Sequence, residues 1–396
     1  MKKIFVFLFA LLVSLSLFGC QKTTKELSKD NIKIGLICLH DESSTYDANF
    51  ITSMKTALDN LGISEDQLEL VTGVPEGQEC YDKACELAVT CDFVFADSFG
   101  HEGYIILAAK SNPNTYFAHA TGVKAHTEKL DNYSNAFAAI YEGRYIAGIA
   151  AGMKLNEMIT AKKITADQAK IGYVGAFPYA EVKSGYTAFY LGAKSVCPSV
   201  TMDVRFTSSW YDFDKEKSTT EALIQGRCVL ISQHADSYGA PDACENAKVP
   251  NVSYNGSTAT QCPETFIVSS RIDWAPYFEY AITQVLNKQK IDYDWIGTLA
   301  TGSVKMTECG KNAAAGTQEA IDAAIESFKK GEIKVFDIDN FTVKGNKITT
   351  YLADVDDDGT YVGETEVIID GYFQESKFRS APYFDLSIDG INLLND

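Results

Sequence analysis

Positive charge is scarce in this chain. It has 35 Lys and Arg against 53 Asp and Glu, for a formal net charge of −18. A nucleic-acid partner needs a basic face to meet its phosphates, so that class is excluded. Long apolar runs are missing after residue 20. No later segment can therefore cross a bilayer as a helix, which excludes a channel or integral transporter. Catalytic signatures are missing as well: there is no G-x-G-x-x-G, no Gly-Lys-Ser/Thr loop and no G-x-S-x-G. His101-Glu102 lacks the second histidine of a zinc-protease motif, and the five histidines stand in no recognised catalytic setting. Cys80 and Cys85 do not form C-x-x-C, and no cysteine spacing resembles a zinc site. The expectation is a protein that is not an enzyme and has no cofactor and no metal. What remains is globular: 46% hydrophobic and 22% charged over 396 residues, room for two lobes of about 100–200 residues each.

The N-terminus is an export signal. Lys2 and Lys3 precede an uncharged apolar run from Ile4 to Phe18, too short for a permanent span. Leu17-Phe18-Gly19-Cys20 resembles a bacterial lipobox, which implies lipidation of Cys20. An ordinary signal with a chance cysteine is the alternative. The resemblance places the protein outside the cytoplasm, held on the cell membrane by lipid on Cys20, because each buried CH₂ contributes about 0.8 kcal/mol. Residues 21–31 are polar and read as a tether. Ten cysteines less Cys20 leave an odd number. Export permits disulfides, but their pairing cannot be read from sequence.

Apolar β-branched runs alternate with amphipathic stretches. Strands are expected at Lys33–Leu39, Leu68–Gly73, Phe93–Asp97, Tyr116–Ala120, Lys170–Ala176, Met202–Thr207, Cys228–Gln233, Val252–Tyr254 and Phe266–Ser270. Tyr46, Phe50, Met54 and Leu58 make a helical stripe, and similar stripes run through Phe137–Met153 and Val182–Ser195. The pattern predicts an α/β fold of two doubly wound parallel-sheet lobes joined by a hinge. Lys170-Ile171-Gly172 echoes Lys33-Ile34-Gly35, as a second lobe would. The expected division is 32–130 with 266–305 for the first lobe, and 131–265 with 306–336 for the second. Residues 337–396 read as a β-rich appendage, with strand-like runs at Phe341–Val343, Ile348–Leu352 and Thr365–Ile369.

Open parallel sheets bind ligands beyond the carboxyl ends of their strands. Those positions here carry aromatics and carboxylates: His40 and Tyr46, Ser98 and Phe99, His119, Phe177, Trp210, His234 and Asp236, Asn255, then Asp273 and Trp274. Aromatic faces stack on flat rings. Carboxylates accept from ring N–H groups and hydroxyls and repel phosphate.

Several stretches carry a family resemblance. They are Tyr141-Glu142-Gly143-Arg144-Tyr145 through Gly148, Gly172 to Pro178 running on to Gly192-Ala193, Ser209-Trp210-Tyr211-Asp212, Gln233 to Ser237, and Asp273 to Tyr277. Together they cover roughly 33–330, the span of a two-domain unit. The chain resembles the basic membrane protein family of substrate-binding lipoproteins. These are periplasmic-binding-protein-like (type I) receptors of ABC importers, several of which bind purine nucleosides or bases. Thr45-Tyr46-Asp47 stands where the nucleoside branch has Ser-Phe-Asn, so the pattern is closer to the purine-base branch.

The resemblance implies a hinged cleft that closes on one purine base or nucleoside and hands it to a permease. It implies that Tyr46 and Trp210 stack on opposite faces of the ring, with Phe99 and Phe177 as walls. Asp47, Asp236, Asp273 and Trp274 complete the expected ligand set, with His234 and His119 supporting it from behind. Structural roles compete with each nomination. Tyr46 and Phe99 also suit a core, and Asp236 and Asp273 also suit helix caps. The run Asp354-Val355-Asp356-Asp357-Asp358-Gly359 resembles the start of a calcium loop, but its twelfth position is Thr365, so an acidic turn is the reading kept. A sensor with the same fold, or an exported nucleosidase using Asp236 or Asp273, are the alternative functions.

Overall fold

The computed structural model describes residues 26–356 and 362–394. The signal sequence and Cys20 lie outside the described residues. No described helix is long and apolar enough to cross a membrane.

The strands run in chain order as β1 (Ile34–Ile37), β2 (Leu68–Val71), β3 (Phe93–Ala96), β4 (Tyr116–Ala120), β5 (Tyr133–Ala138) and β6 (Lys170–Gly175). They continue as β7 (Thr201–Phe206), β8 (Leu230–His234), β9 (Asn251–Tyr254), β10 (Phe266–Ile272), β11 (Asp294–Gly297) and β12 (Val304–Met306). The main helices are α1 (Thr45–Leu61), α2 (Gln78–Leu87), α3 (Glu102–Ser111), α4 (Ala125–Glu128), α5 (Ile140–Thr160) and α6 (Ala180–Val196). After them come α7 (Phe213–Gln225), α8 (Gly239–Ala247), α9 (Ala275–Leu286) and α10 (Thr317–Lys329).

Strands β1, β3 and β5 are buried at every position. A strand with no solvated face needs cover on both sides, and that demand drives the layered α/β architecture. One sheet has the order β2-β1-β3-β4-β5-β11. The other repeats it as β7-β6-β8-β9-β10-β12, with β12 antiparallel. The chain is thus an α/β protein with two doubly wound sheets, as its alternating pattern predicts.

Three details differ from the sequence reading. Residues 133–138 form β5 of the first sheet, and α5 begins only at Ile140. Ala136–Tyr141 is an unbroken apolar run across the junction, and periodicity alone does not separate a buried strand from a helix. Strand β10 lies in the second sheet beside β9, although Phe266–Ser270 was assigned to the first lobe. The chain returns to the first lobe one element later, where α9 packs on α1. In the appendage, Phe341–Val343 and Ile348–Leu352 do not form the expected strands; the pairs there are β13 (Leu352–Ala353) with β14 (Thr365–Glu366), and β15 (Ile368–Ile369) with β16 (Tyr372–Phe373). Its last strand, β17 (Ile391–Leu393), pairs in parallel with β7 and extends the second sheet. Buried Phe336, Phe373 and Phe384 join the appendage to the main core.

Helix α1 starts where Ser44 caps it, and it stops at Gly62, whose φ of +69° suits glycine. Helices α5 and α6 touch backbone to backbone. A Cβ on Gly148 would strike the Phe189 carbonyl, and one on Gly192 would strike that of Tyr145. This contact accounts for both glycines in the family-like stretches.

Candidate functional site

In each sheet the strand order reverses between its first and third strands, and the crevice there opens beyond their carboxyl ends. The two crevices face each other. Between them lies a slot lined by Leu39, His40, Tyr46, Asp47, Ser98 and Phe99 from one lobe, and by Trp210, His234, Asp236 and Tyr254 from the other. Thr121 and Glu181 complete it. It encloses about 410 Å³ of space not filled by protein atoms, open in part to solvent.

Its sides are held from behind. Tyr46 projects from the first turn of α1 and donates its hydroxyl to the Asp97 carbonyl at 2.9 Å. Its ring meets Phe50 edge-on at 4.9 Å. His119, fully buried, contacts the Ser98 carbonyl through Nε2 at 2.6 Å and fixes the turn that presents Phe99. Trp210 is half-buried and packs edge-to-face on Phe177 at 5.1 Å. Phe177 itself stands behind Trp210, outside the slot. Arg144 of α5 is wholly buried under the second sheet. It donates to Tyr173 at 3.1 Å and Ser232 at 2.7 Å, and its guanidinium lies 5.2 Å from the centre of the Tyr254 ring.

The slot is acidic. Burial alone would raise the Asp47 carboxyl, but bonds from His40 and Ser44 outweigh it and hold the group below its ordinary range. Asp236 goes the other way. Its burial and the charges of Asp47, Glu216 and Glu181 push its pKa well up. Asp97 is raised for the same two kinds of reason, burial and then Asp47. His234 sits 3.3 Å from Glu181, yet burial lowers its pKa and favours the neutral ring. Two polar atoms of the slot's lining lack a protein hydrogen bond, Tyr254 Oη and His234 Nδ1. Buried polar groups of this kind are where a ligand finds partners.

The lobes touch across the slot. The Thr45 amide donates to the Asp236 carbonyl at 3.2 Å. Asn49 donates to the Asn255 carbonyl at 2.9 Å. Phe99 stacks on Tyr179 with ring centres 5.2 Å apart. Thr121, Ser208 and Asn255 take φ of +64°, +57° and +58° around this rim.

Besides Phe177, two more of the expected ligand residues lie outside the slot. Trp274 is a core residue, 1% exposed and stacked on Phe50 at 4.3 Å. Asp273 accepts from Ala275 at the start of α9 and pairs with Lys305 at 2.6 Å. It acts as a cap and ion-pair partner, the alternative its position allowed. Glu181, Thr121 and Tyr254 are lining residues that the sequence reading did not nominate. Tyr254 ends β9 and Thr121 follows β4, so the same rule applied to every strand finds them, whereas Glu181 lies in the first turn of α6 and carries no such signal.

Two groups bring possible cation ligands together among the described residues: Cys38, Asp47 and Asp97 beneath the slot, and Asp354, Asp356 and Glu364 in the appendage. The nine cysteines of the described residues are all free thiols.

The family model described as ABC transporter substrate-binding protein PnrA-like matches residues 34–339. A putative ABC transporter glucose-binding protein of Haloferax volcanii is 30% identical over 246 residues, 62% of this chain and 59% of that protein. A purine-binding protein of Brucella abortus is 30% identical over 244 residues, 61% of this chain and 65% of that protein. The matches thus span less than two thirds of either relative. Among solved structures, a solute-binding protein from Aeropyrum pernix superposes with a TM-score of 0.65 at 14% identity, covering 80% of this chain and 94% of its own. One from Conexibacter woesei gives 0.60 at 17%, covering 76% and 97%. These likenesses show the fold, which is that of the type I periplasmic binding proteins.

Proposed function

The chain belongs to the PnrA-like family of ABC transporter substrate-binding proteins, and from that premise we propose that its slot takes a purine base or nucleoside for delivery to a permease. One observation carries the reading: a slot with Tyr46 on one lobe and Trp210 on the other, bordered by Asp47 and Asp236. Aromatic faces suit a flat heterocycle. Carboxyl groups suit its N–H donors and the hydroxyls of a ribose, and the acidity disfavours a phosphorylated ligand. The relative from Brucella abortus is named for purine binding, which agrees. The one from Haloferax volcanii is named for glucose. An aromatic ring beside carboxylates also suits a pyranose, so glucose is the second reading.

Thermal shift separates them. Adenine, guanine, adenosine, guanosine and inosine are each run beside glucose, since a bound ligand stabilises by RT ln(1 + [L]/Kd). A shift with purines and none with glucose supports the proposal; the reverse defeats it. Incubation with inosine tests for a nucleosidase: recovery of the intact nucleoside supports a receptor, and release of hypoxanthine an enzyme. Lipid on Cys20 belongs to the same proposal, and the mass of the mature N-terminal peptide tests it. A permease and an ATPase encoded beside the gene would favour transport over sensing.

A further inference from the structure

The appendage is built onto the second lobe. Its last strand, β17, extends the second sheet beside β7. Ser184 of α6 donates to buried Glu375, and Lys183 donates to the Asp385 carbonyl at 3.2 Å. Phe384 packs on Phe336 and Phe373 with ring centres 4.4 and 4.7 Å apart, and Phe336 packs in turn on Tyr141 in the first turn of α5. A rotation of the second lobe therefore carries the appendage with it. Residues beyond 339 fall outside the family match, so this mass is an addition to the two-lobed plan.

One tip of the appendage reaches the other lobe. The amide and the hydroxyl of Ser380 both donate to Asp294 Oδ1, each at 2.7 Å. Asp294 opens β11, the edge strand of the first sheet, which pairs with β5. Hydrogen bonds to a carboxylate are the stronger kind, and Ser380 makes its pair while fully buried.

Both sides of this contact are held firmly. Arg379, beside Ser380, donates to the carbonyls of Val355, Ala381 and Pro382 at 2.9–3.1 Å. The Lys377 amide donates to the Tyr383 hydroxyl at 3.0 Å. On the first lobe, the second oxygen of Asp294 lies 3.3 Å from Nδ1 of His126 in α4. A stiff tip meeting a fixed carboxylate cannot stretch to follow a departing lobe. The Ser380 bonds are either made or broken.

The chain itself crosses between the lobes after β5, after β10 and after β11. Those links are covalent and survive any hinge motion. We propose that the appendage adds a breakable link to them: it travels with the second lobe and latches onto Asp294 of the first when the lobes close. A contact made only in the closed form shifts the open–closed equilibrium toward closed by its own free energy. The latch thus keeps the cleft shut for longer, with or without a ligand in it.

Hydrogen exchange and small-angle scattering on the full chain test this without ligand, so the outcome does not depend on what the slot binds. The reporter is the Thr45 amide, which donates to the Asp236 carbonyl across the slot and takes no part in the latch. Asp294→Ala removes the acceptor of both Ser380 bonds and is expected to speed exchange at Thr45 about fivefold. Its radius of gyration is expected to exceed that of the parent. Asp294→Asn keeps an acceptor oxygen without the charge and is expected to fall between the two. His126→Gln leaves both Ser380 bonds in place and is expected to match the parent. A circular dichroism melt confirms that each variant is folded; if Asp294→Ala is not, Asp294→Asn against the parent decides by the same two readings. Unchanged exchange at Thr45 with an unchanged radius overturns the latch. Equal opening in His126→Gln overturns it too, because the effect then lies in the edge of the first lobe and not in the hold of the appendage.

Discussion

Asn49 and Asn255 meet across the cleft. The Asn49 amide, on the buried face of α1, donates to the Asn255 carbonyl at the end of β9 at 2.9 Å. Asn255 holds its carbonyl there with a φ of +58°. The bond exists only when the lobes are together, so it favours the closed form. A hydrogen bond of this kind contributes about 1 kcal/mol net. Asn49→Ala is therefore expected to shift the equilibrium toward open and weaken ligand binding about fivefold. Small-angle scattering without ligand should show a larger radius of gyration than the parent. An unchanged radius with unchanged affinity would show that the bond does not govern closure.

Two indoles of the chain have opposite tasks. Trp210 borders the slot, whereas Trp274 lies in a cluster with Phe50, Phe95 and Phe137. Trp274→Ala is expected to cost ~3–5 kcal/mol of stability through the cavity it leaves. Trp210→Ala is expected to weaken purine affinity about tenfold, ~1.4 kcal/mol, with little change in the melting temperature. Paired melts and titrations on both variants check this. A large loss of stability from Trp210→Ala with unchanged affinity would make it a core residue.

Local pattern and tertiary role coincide in part of the fold. Strands β1, β3, β4 and β6 are short apolar runs bounded by turns, and each was legible within a residue or two. Trp210 and Asp236 follow such strands and reach the slot. Trp274 follows β10 in the same manner and does not. β10 ends where the chain crosses back to the first lobe, and the residues after it are drawn into the interface between α9 and α1. Strand β5 was hidden because it runs almost directly into α5 as one apolar stretch. The seat of the appendage on α6 was not legible at all, because it joins Lys183 and Ser184 to Asp385 and Glu375, and no local pattern records that contact.

Asp236 gives a sharper test of the slot's electrostatics. Burial first, then the nearby Asp47, Glu216 and Glu181 charges, push its carboxyl well up. The upward shift favours the protonated form, and a protonated carboxyl offers both an O–H donor and a carbonyl acceptor. An amide offers the same pair in nearly the same shape. Asp236→Asn is thus expected to retain ligand affinity within about threefold, while Asp236→Ala loses about tenfold or more by leaving the ligand's polar atoms unpaired. Calorimetry at pH 7 reads both. Equal, large losses in the two variants would mean that the ionised carboxylate is what the ligand needs.

The appendage supplies the last expectation, in the pH dependence of folding. Glu375 is buried against α6, where it accepts hydrogen bonds from Ser184 and Ser376. Burial is the main reason its pKa is pushed up to about 7, from an ordinary 4.5, and the charges of Glu142 and Glu181 add to it. The folded state therefore holds this proton more tightly than the unfolded chain. Its stabilising contribution is complete below about pH 4.5 and is lost as pH rises toward 7, on the order of 3 kcal/mol in all. Glu142 and Glu216, each also raised to about 7, act in the same direction. Buried His101, His119 and His234 act in the opposite one, since their lowered values cost stability as the pH falls below about 6.5. The net curve of the parent chain thus mixes both signs, and a difference measurement isolates the single group. Glu375→Gln keeps an acceptor for Ser184 and cannot ionise. Its melting temperature relative to the parent is expected to be higher at pH 8 than at pH 5, by several degrees. A gap that stays constant between the two pH values would show that Glu375 ionises alike in the folded and unfolded chain, and that the junction between appendage and α6 tolerates its charge.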